Sequence, residues 1–411
     1  MSRSARSPGG LILPRREFLR LSAGLGLGAL SGLSALNLAG CKGKTDSLGG
    51  GPYVLNVRPD AAVVGAITDS PQQLTLRWGL VNGSLDGVAA ETSPSLVHGL
   101  EATGLRPGAR YRYVLDGFGE STFTTAPERD APRVTFCAFG DSGGTKTSRG
   151  KLLDDAGEVM NDIEGVSGDT DQQGKVASAL ASMSRPDFVL HTGDVVYPDG
   201  APENYREGYF GPFGSLIATT PVYATLGNHD VKTGNGSPLL ERFQPPKNGF
   251  DGEGRTYSFD WGPVHVVCID VMSSDYAEGS PQMKWLERDL AATDRPWKVA
   301  MFHAPAYGAS RHGDSETIQQ SVVPVLARGK VDLVLSGHDH IYARFFPTSG
   351  PTYVVTGGGG QSLDPVKSDD RLAYAESVFH YVEVVAERSS MRLTAIDARG
   401  RPFDAATLRK A

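Results

Sequence analysis

Five short polar stretches, each set directly after an apolar run, constrain this 411-residue chain more than any other feature. They read FGDSG (139–143), TGDVVY (192–197), GNHD (227–230), FHAP (302–305) and SGHDHIY (336–342). In layered α/β proteins, ligand-binding groups collect just past the carboxyl ends of strands. Asp141, Asp194, Asn228, His303 and the pair His338/His340 all stand in that relation to a strand-like run, and Tyr197 follows three residues after Asp194. One such placement carries little weight, since an aspartate or asparagine alone is a common turn residue. Five in one domain argue for a shared site. Carboxylates, imidazoles, an amide carbonyl and a phenol, with no thiolate, form an oxygen and nitrogen donor set that suits hard or borderline metal ions.

The runs before these stretches predict buried strands at 134–139, 188–192, 222–226, 264–271, 297–302, 331–336 and 353–356. Between the first two, Val176, Ala179, Leu180 and Met183 fall on one helical face. Ser280 followed by Pro281 predicts a helix start, continued by Met283, Leu286 and Leu290. The alternation argues an α/β domain over 132–400, a layered β-sandwich flanked by helices. Residues 52–127 show no helical period. Segments such as 74–78 and 110–114 alternate like half-buried strands, and Arg106-Pro107-Gly108 marks a turn, so an all-β sandwich is expected there. Residues 145–171 hold three basic and seven acidic residues with little apolar periodicity and read as a surface insertion. Gly357–Gly360 follows a strand, but no Gly-Lys-Ser/Thr follows it, so close backbone approach is expected there rather than a nucleotide loop.

The N-terminal forty residues are expected to be an address rather than part of the fold. Arg15-Arg16-Glu17-Phe18-Leu19 resembles a twin-arginine export signal. A glycine-diluted apolar stretch follows, and Leu38-Ala39-Gly40-Cys41 resembles a lipobox in which Cys41 becomes the lipidated terminus. Residues 41–51 then form a polar, glycine-rich linker. On this reading the protein is periplasmic or at the cell surface, held to a membrane by the lipid on Cys41. The leader has five arginines and one glutamate, a charge of +4, so its removal takes the formal −7 of the chain to −11. A chain that acidic lacks the footprint of a nucleic-acid binder. Cys137 and Cys268 lie inside apolar runs and read as free buried thiols.

The ordered set GDSG, GDVVY, GNHD, FHAP, GHDH is similar to the purple acid phosphatases, a branch of the calcineurin-like metallophosphoesterases, over about 134–397. The preceding segment resembles a fibronectin type III module. Ordinary members of the wider superfamily open with Asp-x-His, whereas here Gly143 stands in the histidine's place and Tyr197 offers a replacement oxygen. The resemblance implies Asp141, Asp194, Tyr197 and His340 on one metal, and Asp194, Asn228, His303 and His338 on the other, with Asp194 bridging. It implies Fe(III) at the tyrosinate and a second divalent metal, Fe, Zn or Mn, beside it. Such a pair acidifies bound water to hydroxide and clamps an in-line displacement at phosphorus. His229 and His312 match histidines assigned to phosphate contact and leaving-group protonation, with Asn228 also facing substrate, and Asp230 is expected to orient His229. The implied activity is hydrolysis of small phosphate monoesters. A phosphodiesterase of the same superfamily is the alternative, and a surface binding lipoprotein with a degenerate second domain is the alternative of another class. His98, His191, His265 and His380 are read as structural.

Overall fold

The computed structural model describes residues 49–143, 172–346 and 350–410. The leader, Cys41, most of the linker and the 145–171 insertion lie outside the described residues.

Seven strands form the N-terminal part: β1 Gly50–Leu55, β2 Ala61–Gln72, β3 Thr75–Leu80, β4 Gly87–Ala90, β5 Ser95–Thr103, β6 Arg110–Leu115 and β7 Gly119–Thr124. They make two antiparallel sheets, β1-β2-β5 and β4-β3-β6-β7. Leu76 and Trp78, and Tyr111, Tyr113 and Leu115, alternate into the space between the sheets, as period-two strands require. Strand β1 begins at Gly50, inside the predicted linker. A glycine pairs through its backbone and leaves no side-chain signal.

The second part is built on two larger sheets. The first has the order β10-β9-β8-β18-β19-β20, with β8 Arg133–Phe139, β9 Phe188–His191, β10 Val222–Ala224, β18 His380–Glu387, β19 Ser390–Asp397 and β20 Pro402–Arg409. The second has the order β11-β12-β13-β14-β16-β15-β17, with β11 Tyr257–Trp261, β12 Val264–Cys268, β13 Trp297–Met301, β14 Leu333–Ser336, β15 Tyr342–Phe345, β16 Thr352–Thr356 and β17 Leu372–Glu376. Strands β8, β9 and β10 run parallel, as do β12, β13, β14 and β16. Because β20 is paired along its length with β19, the domain runs past residue 400 to Arg409.

Side-chain alternation divides each strand between two cores. Phe136 and Ala138 of β8, with Val299 and Met301 of β13, fill the space between the sheets. Cys137 and Phe139 point to the outer face of the first sheet, under helices α1 Gln172–Ala179 and α2 Gly211–Ile217. Helices α3 Asn228–Val231 and α4 Ser237–Phe243 follow β10. Ala300 and the following Phe302 point to the outer face of the second sheet, covered by α5 Pro281–Ala292, α6 Glu316–Ser321 and α7 Val323–Arg328. Helix α5 starts where Ser280 and Pro281 predict it: the Ser280 hydroxyl accepts from the Met283 amide at 3.3 Å. Val176, Ala179 and Leu180 are buried on the α1 side, while the side chain of Met183 lies outside the described residues. The result is a four-layer helix–sheet–sheet–helix domain. Cys137 and Cys268 are free and buried, and burial pushes the Cys268 thiol up to about 12.

The N-terminal sheets pack on this domain through aromatic groups. The Tyr53 ring meets that of Phe210 at 5.0 Å, Tyr223 donates to the Val57 carbonyl at 2.9 Å, and Tyr113 donates to the Ala218 carbonyl at 2.8 Å.

Candidate metal centre

The carboxyl ends of β8, β9 and β10 in the first sheet converge with those of β13 and β14 in the second. Asp141 follows β8, Asp194 and Tyr197 follow β9, Asn228 opens α3 after β10, His303 follows β13, and His338 and His340 follow β14. The structure therefore brings all seven predicted ligand residues to one end of the sandwich. Asp141, Asp194 and His303 are fully buried and offer ligand atoms within 4.8 Å of one another.

The contacts fall into two groups that share Asp194. In the first, the Tyr197 phenolic oxygen lies 3.0 Å from Asp194 Oδ2, 3.3 Å from Asp141 Oδ1 and 3.2 Å from His340 Nε2. His340 Nε2 is 3.4 Å from Asp141 Oδ1. In the second, His303 Nε2 lies 3.3 Å from Asp194 Oδ2 and 3.0 Å from Asn228 Oδ1. The His338 ring stands 5.2 Å from that of His303. Two imidazoles are oriented through Nδ1. His303 Nδ1 donates to the Thr192 carbonyl at 2.7 Å and His340 Nδ1 to the Ser362 carbonyl at 2.6 Å, which turns both Nε2 atoms toward the cluster.

Three ligand positions have left-handed backbone: Asp141 at φ 58°, Asp194 at 52° and His338 at 68°. Such conformations cost on the order of 1 kcal/mol or more and persist where surrounding contacts impose them. Those contacts are visible. The His338 amide donates to Asp141 Oδ2 at 3.0 Å, and the His229 amide donates to Asp194 Oδ1 at 2.8 Å. Asp230 does not orient the His229 ring as expected. Its carboxylate instead accepts from the amides of Asp194 at 2.8 Å, Gly227 at 2.9 Å and Val195 at 3.2 Å, tying the β9 turn to the β10 turn. Gly357 shows the close approach expected of its run, since a Cβ there would lie 2.3 Å from the Asp339 carbonyl oxygen.

Gly143 explains why a histidine cannot serve in its place. A Cβ built there would lie 2.4 Å from both the Val195 carbonyl oxygen and Val196 Cα. No side chain fits, and the phenol of Tyr197 reaches the cluster from the other strand end.

Charge in the cluster is unbalanced without a cation. Burial would lower the His303 imidazole, yet the carboxylates of Asp194 and Asp141 raise it to about 10. Burial would raise Asp194, yet the His303 charge holds it below the usual carboxylate range. Burial and the neighbouring imidazoles of His303 and His312 drive His338 down to about 2, leaving a neutral ring suited to coordination. A metal ion held by these groups would supply the positive charge between the two carboxylates that the His303 proton otherwise supplies. Two carboxylates, a phenol, an amide carbonyl and inward-facing imidazoles fit such ions.

The two further histidines are placed differently. His229 is 2 % exposed; its ring lies 4.3 Å from that of Tyr197, and its Nδ1 is 2.7 Å from the Pro198 carbonyl oxygen and 3.0 Å from Lys232 Nζ. His312 is exposed at the rim, with its ring 4.1 Å from that of His338. The histidines read as structural each have internal partners: His98 with Thr68 and Glu91, His191 with Ser142, His265 with Asp260 and Asp289, and His380 with Thr356. Sequence reasoning missed Asp364, whose carboxylate accepts from the His340 amide at 3.1 Å, and Asp339, which accepts from the amides of Ala309 and Ser310. Asp339 carried a signal in standing between two ligand histidines. Asp364 carried none.

Comparison with known proteins agrees with this geometry. The family model for calcineurin-like phosphoesterases matches residues 135–342. The chain is similar to probable purple acid phosphatase 20 of Arabidopsis thaliana, at 27% identity over 354 residues, covering 75% of this chain and 73% of that protein. It is 29% identical over 330 residues to purple acid phosphatase 22 of the same plant, covering 71% and 67%. Among solved structures, a purple acid phosphatase from yellow lupin (Lupinus luteus) seeds superposes with a TM-score of 0.71 at 19% identity, covering 87% of this chain and 74% of that one. The structure of PhoD superposes with a TM-score of 0.62 at 13% identity, covering 88% and 89%. At these identities the two structures establish a shared fold.

Proposed function

Because the chain belongs to the calcineurin-like phosphoesterase family, we propose that it hydrolyses phosphate monoesters at a dinuclear Fe(III)–M(II) centre, in the manner of the purple acid phosphatases. One observation carries this reading within the family: the Tyr197 oxygen lies among Asp141, Asp194 and His340, opposite a Gly143 that admits no side chain. A phenolate is a hard anionic donor and favours a trivalent ion.

Asp141, Asp194, Tyr197 and His340 would hold the ferric ion, and Asp194, Asn228, His303 and His338 the divalent ion, Fe, Zn or Mn. When bound, such a pair supplies Lewis acidity toward the ester oxygens and lowers the pKa of water. The protein's part is to fix those groups and to manage the ester. Asn228 and His229, adjacent on α3, face the phosphate, and His229 is kept rigid between the Tyr197 ring and the Pro198 carbonyl. His312, exposed and with its ring 4.1 Å from that of His338, would touch the phosphate and give the departing oxygen a proton, a role that this position supports. Export by the twin-arginine route with a lipid on Cys41 belongs to the same proposal. It rests on the leader sequence, and Cys41→Ala should release the protein from the membrane fraction.

The test compares turnover of a 4-nitrophenyl phosphate monoester with that of the bis(4-nitrophenyl) diester. A monoester preference supports the proposal. A strong diester preference makes the protein a phosphodiesterase of the same family.

A further inference from the structure

The segment after His303 turns back toward α6 as a tight loop, and three separate anchors fix it. At its base, Asp339 Oδ2 accepts from the amides of Ala309 at 2.9 Å and Ser310 at 3.0 Å. Alongside, the Lys367 amide donates to the Ala309 carbonyl at 2.8 Å, and Arg311 Nε lies 3.1 Å from Asp364 Oδ1. At its neck, Asp314 accepts from the Gly308 amide at 3.1 Å and from the Gln319 side chain at 2.9 Å. The neck is so narrow that a Cβ on Gly308 would lie 2.1 Å from the Gly313 carbonyl oxygen. His312 rides at the tip of this loop.

Asp314 is itself gripped from outside the loop. Both Nη atoms of Arg371 reach its carboxylate, at 2.7 and 3.0 Å, in a two-pronged contact. Arg371 is aimed by Asp369, which holds its Nε at 2.9 Å, and its guanidinium lies 5.4 Å from the Tyr307 ring centroid and 5.9 Å from that of Phe345. A fork onto a carboxylate is a geometry that arginine supplies and lysine does not. The pair is too exposed, at 38% and 30% of the two side chains, to add much to global stability. Its effect is on the position of the loop.

We propose that Arg371, acting through Asp314, is a positioning residue that sets His312 against His338 and so fixes the phosphate contact His312 makes. The proposal rests on the reading above that His312 faces the substrate. Arg371 lies outside all five motifs and touches none of the ligand residues through any contact among the described residues. A displacement of about 1 Å at a contacting group can cost on the order of 100-fold in rate, so a loosened neck is felt at His312.

A double-mutant cycle on the metal-loaded full chain tests this. Arg371→Met should lower kcat/KM by about 10-fold in the wild-type background and by less than about 2-fold once His312→Asn is present. Equal losses in both backgrounds, or no loss in the first, overturn the proposal. Should Arg371→Met fail to fold, Arg371→Lys keeps the charge without the fork and must show the same dependence on His312, with a smaller loss. The cycle is repeated on orthophosphate affinity measured by calorimetry, where weakening by Arg371→Met must likewise vanish beside His312→Asn. A wild type that turns over neither monoester nor diester removes the phosphatase reading, while the affinity cycle still decides for or against Arg371.

Discussion

The phenolic oxygen of Tyr197 lies 3.0 Å from Asp194 Oδ2, the same oxygen that stands 3.3 Å from His303 Nε2, so this carboxylate joins both halves of the cluster. If the phenolic oxygen binds ferric iron, charge transfer from it colours the protein. Purified, metal-loaded protein should absorb visible light, and Tyr197→Phe, which removes one oxygen from a fully buried ring, should abolish the band while the fold remains. A colourless, iron-free wild type with full activity would contradict the tyrosinate assignment.

His303 Nε2 reaches both Asp194 and Asn228, so its loss should be felt first as metal loss. Outer partners of a metal typically contribute 10–100-fold, so removal of a direct ligand should exceed about 100-fold. His303→Ala is expected to lower metal content and turnover together, as measured by elemental analysis beside steady-state rates.

Asp230 gathers three backbone amides from two ligand turns. Asp230→Ala leaves buried donors unmatched, at about 1–3 kcal/mol each before relaxation. The expected result is lower stability in urea and weaker metal binding, with the Tyr197 band shifted or diminished. A variant with unchanged metal affinity would show that the turns hold themselves.

His265 sits between Asp260 Oδ1 at 2.7 Å and Asp289 Oδ2 at 2.8 Å, with Arg295 also on Asp260. Burial lowers it, but the two carboxylates prevail and raise it from its ordinary 6.5 to about 9. A histidine raised in the folded state stabilises fully below its unfolded value and loses that contribution as pH rises through the folded value. Stability should therefore fall between about pH 7 and pH 10, by on the order of 3 kcal/mol at most. Urea midpoints across that range should show the decline in wild type and a flatter profile in His265→Gln.

Arg344 of β15 and Asp404 of β20 form a buried pair between the two sheets, at 2.7 and 2.9 Å, and Tyr342 donates to the same carboxylate at 2.7 Å. Asp404→Ala strands a buried guanidinium and should cost about 3–5 kcal/mol in equilibrium unfolding.

Much of this was legible because strands that end at a shared site carry their polar groups just past an apolar run. The 134–139, 188–192 and 297–302 segments announce themselves by hydrophobicity, and Asp141, Asp194 and His303 follow directly. What stayed hidden depends on contacts distant in sequence. Strand β18 lies beside β8 through pairs such as Val382 with Ala138, and no local pattern reports that pairing. Asp364 supports the His340 backbone from twenty-four residues away and looks like any loop aspartate. Its place in the sequence points Asp230 at the adjacent imidazole, whereas three amide donors make the stronger claim on its oxygens. The Gly143 substitution was legible as an absence, but only the approach of Val195 and Val196 shows that nothing larger fits.

The most direct measurement is the number and kind of metal ions per folded chain, taken by mass spectrometry on metal-replete protein with circular dichroism as the check on folding. Two ions per chain, at least one of them iron, is the predicted result. A folded chain that retains one ion or none, or two ions without iron while fully active, would contradict the account.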